Sequence, residues 1–587
     1  MSKYIRWQAL LTLLGMILIG TLLVNMTVKR EPVPSTPSPS TQTTVLQVRG
    51  GTYVEGAAGA PRFINPLFSQ ENDLDRDLCK LIFEGLTTLS EHNEIVPLLA
   101  EQWDVSEDGR TYTFALRGSV RWQDGEPFTA DDVLFTIGLL QKPDFPGSYY
   151  LSELWRSVEV KKIGSYGVQF TLLEPYAPFL DYTTIGILPK HLLEDVPVAE
   201  LHLHAFSAFS TGTGLFRVVE HTAEHIVLEA NPYHRLWGET KLDRIDFRFY
   251  PSYGHILTAY EAGEVTGVSH ILAEDMERAR SNPNLQLLSA RLSGYSLILM
   301  NLGDSGKPFF QDPRVRQALL YALDRQGLID DVLGGQGLVI HSPIMPQSWA
   351  YNPRVQQYGY APKQAIALLE ETGWELPTPQ EAFIGELDPE DAKVRTRQGE
   401  RLEFTLLVNN LPERIALAHA VADQWSAVGV HTYVQAVDVS DLTLNHLLPR
   451  AFDAVLLQWQ LPPDPDPYPV WHSTQTEAGG QNYSGFVHRD ADEAIEVARL
   501  LTDVGQRTEL YYRFQEIFGQ EVPALLLYQP VYTYGVDKSV RNVQIAPMLD
   551  PSGRFRNIAQ WALLEKEVSL SELNDQVGDK LDKQRDP

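Results

Sequence analysis

Residues 97–137, PLLAEQWDVSEDGRTYTFALRGSVRWQDGEPFTADDVLFTI, constrain the fold more tightly than any other part of the chain. Residues 103–106 read as a short strand, and Asp108-Gly109 as the tight turn that closes a hairpin. The return strand, residues 111–117, alternates so that Tyr112, Phe114 and Leu116 share one face, the pattern of a half-buried strand. Asp124-Gly125 turns the chain again. Thr129, with Asp132 three positions on, makes a variant capping box that starts a helix carrying Val133, Leu134 and Ile137 inward.

Further landmarks follow a fixed order. They are LIFEGL at 81–86, GTG at Gly212, DPRVRQAL from Asp312, the loop 459–466, AGGQNYSGF around Asn482 and VPALLLYQP near Tyr528. Together with the hairpin, turn and capped helix, they resemble the extracytoplasmic solute-binding proteins of ABC importers, in the class of dipeptide-, oligopeptide- and nickel-binding proteins (solute-binding protein family 5). The resemblance implies an α/β fold of the periplasmic-binding-protein-like type II, with two lobes and an extra domain, about 69–205, in the first. The first lobe is expected over 45–290 with a return at 524–562, and the second over 291–523. The implied function is capture of a solute, short peptides first, for delivery to ABC permease subunits. An oligosaccharide, an opine or a metal chelate is the alternative ligand, and a signalling receptor without a transporter the alternative role.

Composition narrows the class. A chain of 587 residues is too long for one core and should divide into two or three domains. A formal charge of −28 argues against nucleic acid, whose phosphates need a basic surface. The single cysteine, Cys79, excludes an internal disulfide and sits in an amphipathic pattern, RDLCKLIFEGL, that buries it as an inert thiol.

Lys3 and Arg6 precede an apolar run at 7–28, closed by Lys29-Arg30. As a helix it would reach roughly 30 Å, enough to span a hydrocarbon core. Residues 21–28 contain no A-x-A cleavage signal, and no cysteine follows to take a lipid, so residues 1–30 read as an uncleaved signal anchor. A long cleaved signal peptide is the alternative. Residues 31–44, EPVPSTPSPSTQTT, form a tether with nothing to bury, and 563–587 a charged tail. The binding domain is expected outside the cytoplasmic membrane, as a monomer.

Between these ends the pattern alternates. Strands are expected at 168–173, 225–230, 242–250, 295–301, 401–408 and 430–434, and helices running to Leu86 and over 252–262, 313–329, 362–374 and 413–428. Residues 378–399 read as a polar surface insertion.

The candidate ligand loop is AVLLQWQLPPDPDPYPVWHS, 454–473, where an apolar strand ends at Trp459 and prolines stiffen the backbone presenting Asp464 and Asp466. By resemblance, Trp459 and Gln460 fall where peptide-binding members line the cleft. Those members place an aspartate about three residues after this tryptophan to pair with the peptide α-ammonium; here that position holds Pro462. Asp464 is the substitute on one reading; on the other, the DPDP carboxylates only cap nearby backbone. Asn482, Tyr483 and Ser484 are weaker candidates, since such residues also serve turns. Tyr528, Tyr149 and Tyr150 correspond to stretches that approach ligand in relatives.

His221 and His225 are four apart, but VVEHTAEHIVLEA reads as two strands about a turn rather than a zinc-binding helix, so neither metal nor cofactor is expected. Asp464 and Asp466 would stand about 6.5 Å apart on an extended segment, within glycosidase spacing. Neighbours on one loop rarely flank a scissile bond, however, and no G-x-S-x-G elbow or P-loop is present. The reading is a receptor, with no catalytic residues.

Overall fold

The computed structural model describes residues 43–45, 50–378, 391–564 and 567–569. The apolar run at 7–28, nearly all of the tether, the middle of the 378–399 insertion and most of the charged tail lie outside the described residues. Among the described residues no helix is long and apolar enough to cross a membrane. The chain forms two compact units. In the first, Met1–Gln47 with Leu564–Pro587, the strand Thr43–Val45 pairs antiparallel with Glu567–Ser569. The second, Val48–Leu563, holds everything that follows.

The 97–137 region folds as its residues dictate. Ala100–Val105 and Thr111–Leu116 form the hairpin, with Gly109 at φ +67° in its turn, a conformation that glycine enters without a Cβ clash. Gly167–Thr171 and Glu159–Lys162 extend it to a four-stranded antiparallel sheet. Tyr112, Phe114 and Leu116 are buried on its inner face. The helix Ala130–Leu140 begins at the Thr129–Asp132 capping box, and Asp132 Oδ1 also accepts from the Lys190 N–H at 3.0 Å. One carboxylate therefore both starts the helix and fixes a strand-free segment against it.

A twelve-stranded mixed sheet organises the rest. Its order is His431–Val437, Glu403–Asn409, Ala454–Gln460, Gly294–Met300, Ala524–Asp537, Gly267–Val268, Thr52–Ala58, Arg244–Tyr250, His225–Ala230 and Phe216–His221. Leu285–Arg291 and Gly337–Val339 also pair with Ala524–Asp537. The first part of that long strand pairs with Gly294–Met300, and the remainder with Leu285–Arg291 and Gly267–Val268. It thus joins the two halves of the sheet, and nearly every residue of it is buried. Gly294–Met300 is buried throughout, which explains an apolar run without alternation. Glu403–Asn409, the helix Pro412–Ser426 and His431–Val437 make a parallel crossover unit, the α/β alternation read from the sequence.

Two helices are shorter than expected, each for a tertiary reason. The helix expected to run to Leu86 is Asp73–Ile82. The Ile82 carbonyl, which would accept from Leu86 in a longer helix, instead accepts from the Gly214 N–H at 2.8 Å. Gly212 makes that approach possible, because a Cβ there would fall 1.8 Å from the Ile82 oxygen. The expected helix over 313–329 is two, Pro313–Tyr321 and Arg325–Val332. Asp324 caps the second by accepting from Gly327 N–H at 3.0 Å. Arg325, which a surface helix would expose, is buried and donates to the carbonyls of Ile340 at 2.6 Å and Leu526 at 2.7 Å.

Cys79 is buried and free, and burial raises its thiol far above the usual range. His221 and His225 lie on two strands, Phe216–His221 and His225–Ala230.

Candidate ligand-binding site

The strand Ala454–Gln460 pairs antiparallel with Gly294–Met300, placing Gln460 opposite Gly294. A side chain at Gly294 would meet the Trp459 carbonyl at 2.1 Å, so glycine there lets the two backbones close up. Beyond the strand, residues 461–467 run without regular structure, held extended by Pro462, Pro463, Pro465 and Pro467. This segment borders a cavity of about 610 Å³. Asp181 and residues 92–95 border it from the earlier part of the chain; Tyr295, Trp349 and Trp471 border it from the later part. Its volume lies within the ~300–1,000 Å³ usual for small-molecule sites.

Charge on the loop is matched from two helices. Asp464 Oδ1 accepts from Arg507 Nη2 at 2.7 Å, with side chains only 11% and 6% exposed. Asp466 Oδ2 lies 3.1 Å from Arg499 Nη2, and its other oxygen accepts from the Tyr468 N–H at 3.1 Å. The Arg507 guanidinium lies over Trp349 at 5.0 Å, and that of Arg499 over Tyr468 at 3.9 Å. Burial pushes the Asp466 carboxyl up to about 6 against the pull of Arg499. For Arg507 burial acts downward, yet the bond to Asp464 prevails and leaves it above its usual value. The Asp464 N–H donates to Asp181 Oδ2 at 2.8 Å. Burial raises Asp181 to about 7, although that N–H lowers it.

The sequence-derived candidates divide. Asp464 and Asp466 reach the cavity wall, each already paired with an arginine rather than with backbone alone. Trp459 is half-buried against Tyr295 and Trp471, at ring distances of 5.9 and 5.4 Å, and stands behind the wall rather than on it. Gln460 is exposed. Asn482 is buried and donates to the carbonyls of His472 and Phe486 at 3.1 and 2.8 Å, while its oxygen accepts from Ser484 Oγ. Those bonds hold a turn. Tyr483 lies under the Arg450 guanidinium at 5.9 Å. Tyr528 is buried in the sheet opposite Ser296 and Val339. Tyr149 and Tyr150 open the helix Tyr149–Ser157, and their side chains lie outside the described part. No cluster of three or more His, Cys, Asp or Glu among the described residues could hold a metal.

Asp181, Trp349, Arg499 and Arg507 were not among the sequence candidates. One signal for Arg507 was available. It recurs with Tyr511, Phe514 and Phe518 on the buried stripe of Val504–Glu521, and a cation inside an apolar stripe calls for a buried anion.

Comparison with known proteins places this geometry. Residues 94–481 match the model of the bacterial extracellular solute-binding proteins, family 5 middle region. The chain is 30% identical over 529 residues to the oligopeptide-binding protein AppA of Bacillus subtilis, covering 88% of this chain and 92% of that one. It is 28% identical over 550 residues to the dipeptide-binding protein of Escherichia coli, covering 88% and 96%. The solved structure of B. subtilis AppA with a nonapeptide superposes with a TM-score of 0.69 at 28% identity, over 88% of this chain and all (100%) of that one. NikZ from Campylobacter jejuni with Ni(L-His) gives 0.70 at 25% identity, over 87% and 99%. The fold is therefore the α/β type II binding-protein architecture that the landmarks implied.

Proposed function

The chain belongs to the bacterial extracellular solute-binding proteins of family 5, and from that premise we propose that it captures short peptides for an ABC importer. Members of this family are receptors for transporters, not enzymes. The observation that carries the peptide reading is the 610 Å³ cavity, walled by aromatic and acidic side chains, in a chain that resembles an oligopeptide- and a dipeptide-binding protein over most of its length. In this reading 45–290 and 524–562 form one lobe and 291–523 the other, closing over ligand as a monomer. Cavity walls drawn from both stretches support that division. The loop 461–467 forms the ligand-facing wall, with Trp459 packed behind it.

Residues 1–30 would hold the receptor in the membrane, with the binding unit outside the cytoplasm and close to the permease. The apolar run at 7–28 is the support for that anchor.

A thermal-shift screen of di- to pentapeptides tests the reading. Ligand at 100 times its dissociation constant stabilises a receptor by about 2.7 kcal/mol. Stabilising peptides should be recovered intact by mass spectrometry. A second reading, a metal chelate, is favoured by the likeness to NikZ in complex with Ni(L-His). Stabilisation by nickel–histidine and by no peptide would establish it instead.

A further inference from the structure

We propose that Asp181, on the cavity wall and hydrogen-bonded to the loop 461–467, is the carboxylate that pairs with a positively charged group of the ligand. The inference rests on the cavity being the solute site.

Besides the Tyr295 phenol, the ionisable side chains on the wall are His92, Glu94, Asp181, Asp464 and Asp466, and no lysine or arginine joins them among the described residues. Two guanidiniums stand behind the wall, and both are taken: Arg507 by Asp464 and Arg499 by Asp466. Pairing them one to one leaves Glu94, which is exposed to solvent, and Asp181, which is not. Its Oδ2 accepts only the uncharged Asp464 N–H, and no basic side chain pairs with it among the described residues. A desolvated carboxylate without a counter-charge is costly, so it either keeps its proton or recruits a cation.

The alternatives on the loop are worse placed. Releasing Asp464 to a ligand would strand Arg507, which is 6% exposed and otherwise holds only the Tyr511 hydroxyl at 3.0 Å and the flanking aromatic faces. Releasing Asp466 would strand Arg499, 20% exposed, in the same way. Asp181 loses nothing by accepting a cation. Because it also holds the Asp464 N–H, the group that senses ligand charge is one that joins the two walls of the cavity.

Binding of trialanine, N-acetyl-trialanine and N-acetyl-Ala-Lys-Ala to the wild type and to Asp181→Asn, measured by calorimetry, tests this. Asparagine keeps the acceptor for Asp464 N–H; Asp181→Ser is the second variant if the first does not fold. A charge-assisted hydrogen bond predicts a loss of about 10–100-fold for a probe that carries a cationic group, with N-acetyl-trialanine, which keeps its carboxylate but has no cationic group, changed less than about threefold. Loss confined to trialanine identifies an α-ammonium, and loss for the lysyl peptide a side-chain cation; both support the proposal. An equal effect on probes with and without a cationic group, or none, overturns it. If the wild type binds no peptide, the peptide reading falls by itself. The charge reading is then decided by putrescine and glycine betaine, and binding of neither, or binding unaffected by Asp181→Asn, overturns it.

Discussion

Asp464 and Arg507 meet at 2.7 Å, Oδ1 to Nη2, with both side chains nearly out of solvent. Removing one partner of such a pair leaves the other uncompensated, at a cost of about 3–5 kcal/mol when burial is complete. With 11% of Asp464 still exposed, Asp464→Asn is expected to lower unfolding stability by about 2 kcal/mol. Asp464→Leu combined with Arg507→Leu should recover part of the loss, as urea denaturation of both variants can show.

Trp349 and Trp459 separate the wall from its support. Trp349 is 41% exposed and borders the cavity under Arg507, so Trp349→Ala should weaken ligand binding by about 10–30-fold with little change in melting temperature. Trp459→Ala instead opens space beside Tyr295 and Trp471 and should cost about 2 kcal/mol of stability, affinity following only through that loss. Paired calorimetry and thermal melts read both quantities. A Trp459→Ala protein that melts normally but binds poorly would put Trp459 on the ligand.

The acid chemistry of the cavity has a direction. Asp181 titrates near 7 when folded and, like any free aspartate, about 3.9 when unfolded. Between those values the folded state holds the proton and the unfolded state does not. The stability it contributes is complete below about pH 4 and lost as pH rises through about 7. Asp466, at about 6, acts in the same sense. The groups facing Asp181 are Asp464, Asp466, Arg507 and Tyr182, and the two carboxylates reinforce the shift while Arg507 opposes it. Ligand-free protein is therefore expected to lose on the order of 2 kcal/mol between pH 5 and 7.5, and Asp181→Asn to lose less. Denaturant titrations at both pH values give the comparison.

Gly212 fits only as glycine. A methyl group there would overlap the Ile82 carbonyl, so Gly212→Ala should destabilise by about 3 kcal/mol. Hydrogen exchange should report the damage first at the Gly214 N–H.

Residues 1–42 belong to no part of the Val48–Leu563 unit. A protein truncated of them is expected to leave the membrane fraction and to melt within about 2 °C of the full chain, since a tether adds nothing to the core. A mature N-terminus within residues 24–44, found by sequencing protein from native membranes, would replace the anchor with a cleaved signal.

Local chemistry was legible in the sequence wherever the deciding partners are close along the chain. The Asp108-Gly109 turn, the Thr129–Asp132 box and the Asp312-Pro313 helix start all depend on residues within three positions, and all three appear in the structure. The helix boundary at Ile82 was not legible, because it is set by a glycine more than a hundred residues away. Nor was the break at Asp324, since nothing nearby marks Arg325 as buried.

The same division runs through the site. By itself the sequence determined the family, the proline-stiffened loop and the two aspartates on it, because these are properties of residue order. Only the tertiary structure decided which charges are free. Asp464 finds Arg507 43 residues on and Asp181 283 residues back, and a carboxylate's state is set by burial and by neighbours in space. Of Asp181, Asp464 and Asp466, the three carboxylates of the wall that are shielded from solvent, two meet guanidiniums and Asp181 does not, a residue that no local pattern had marked.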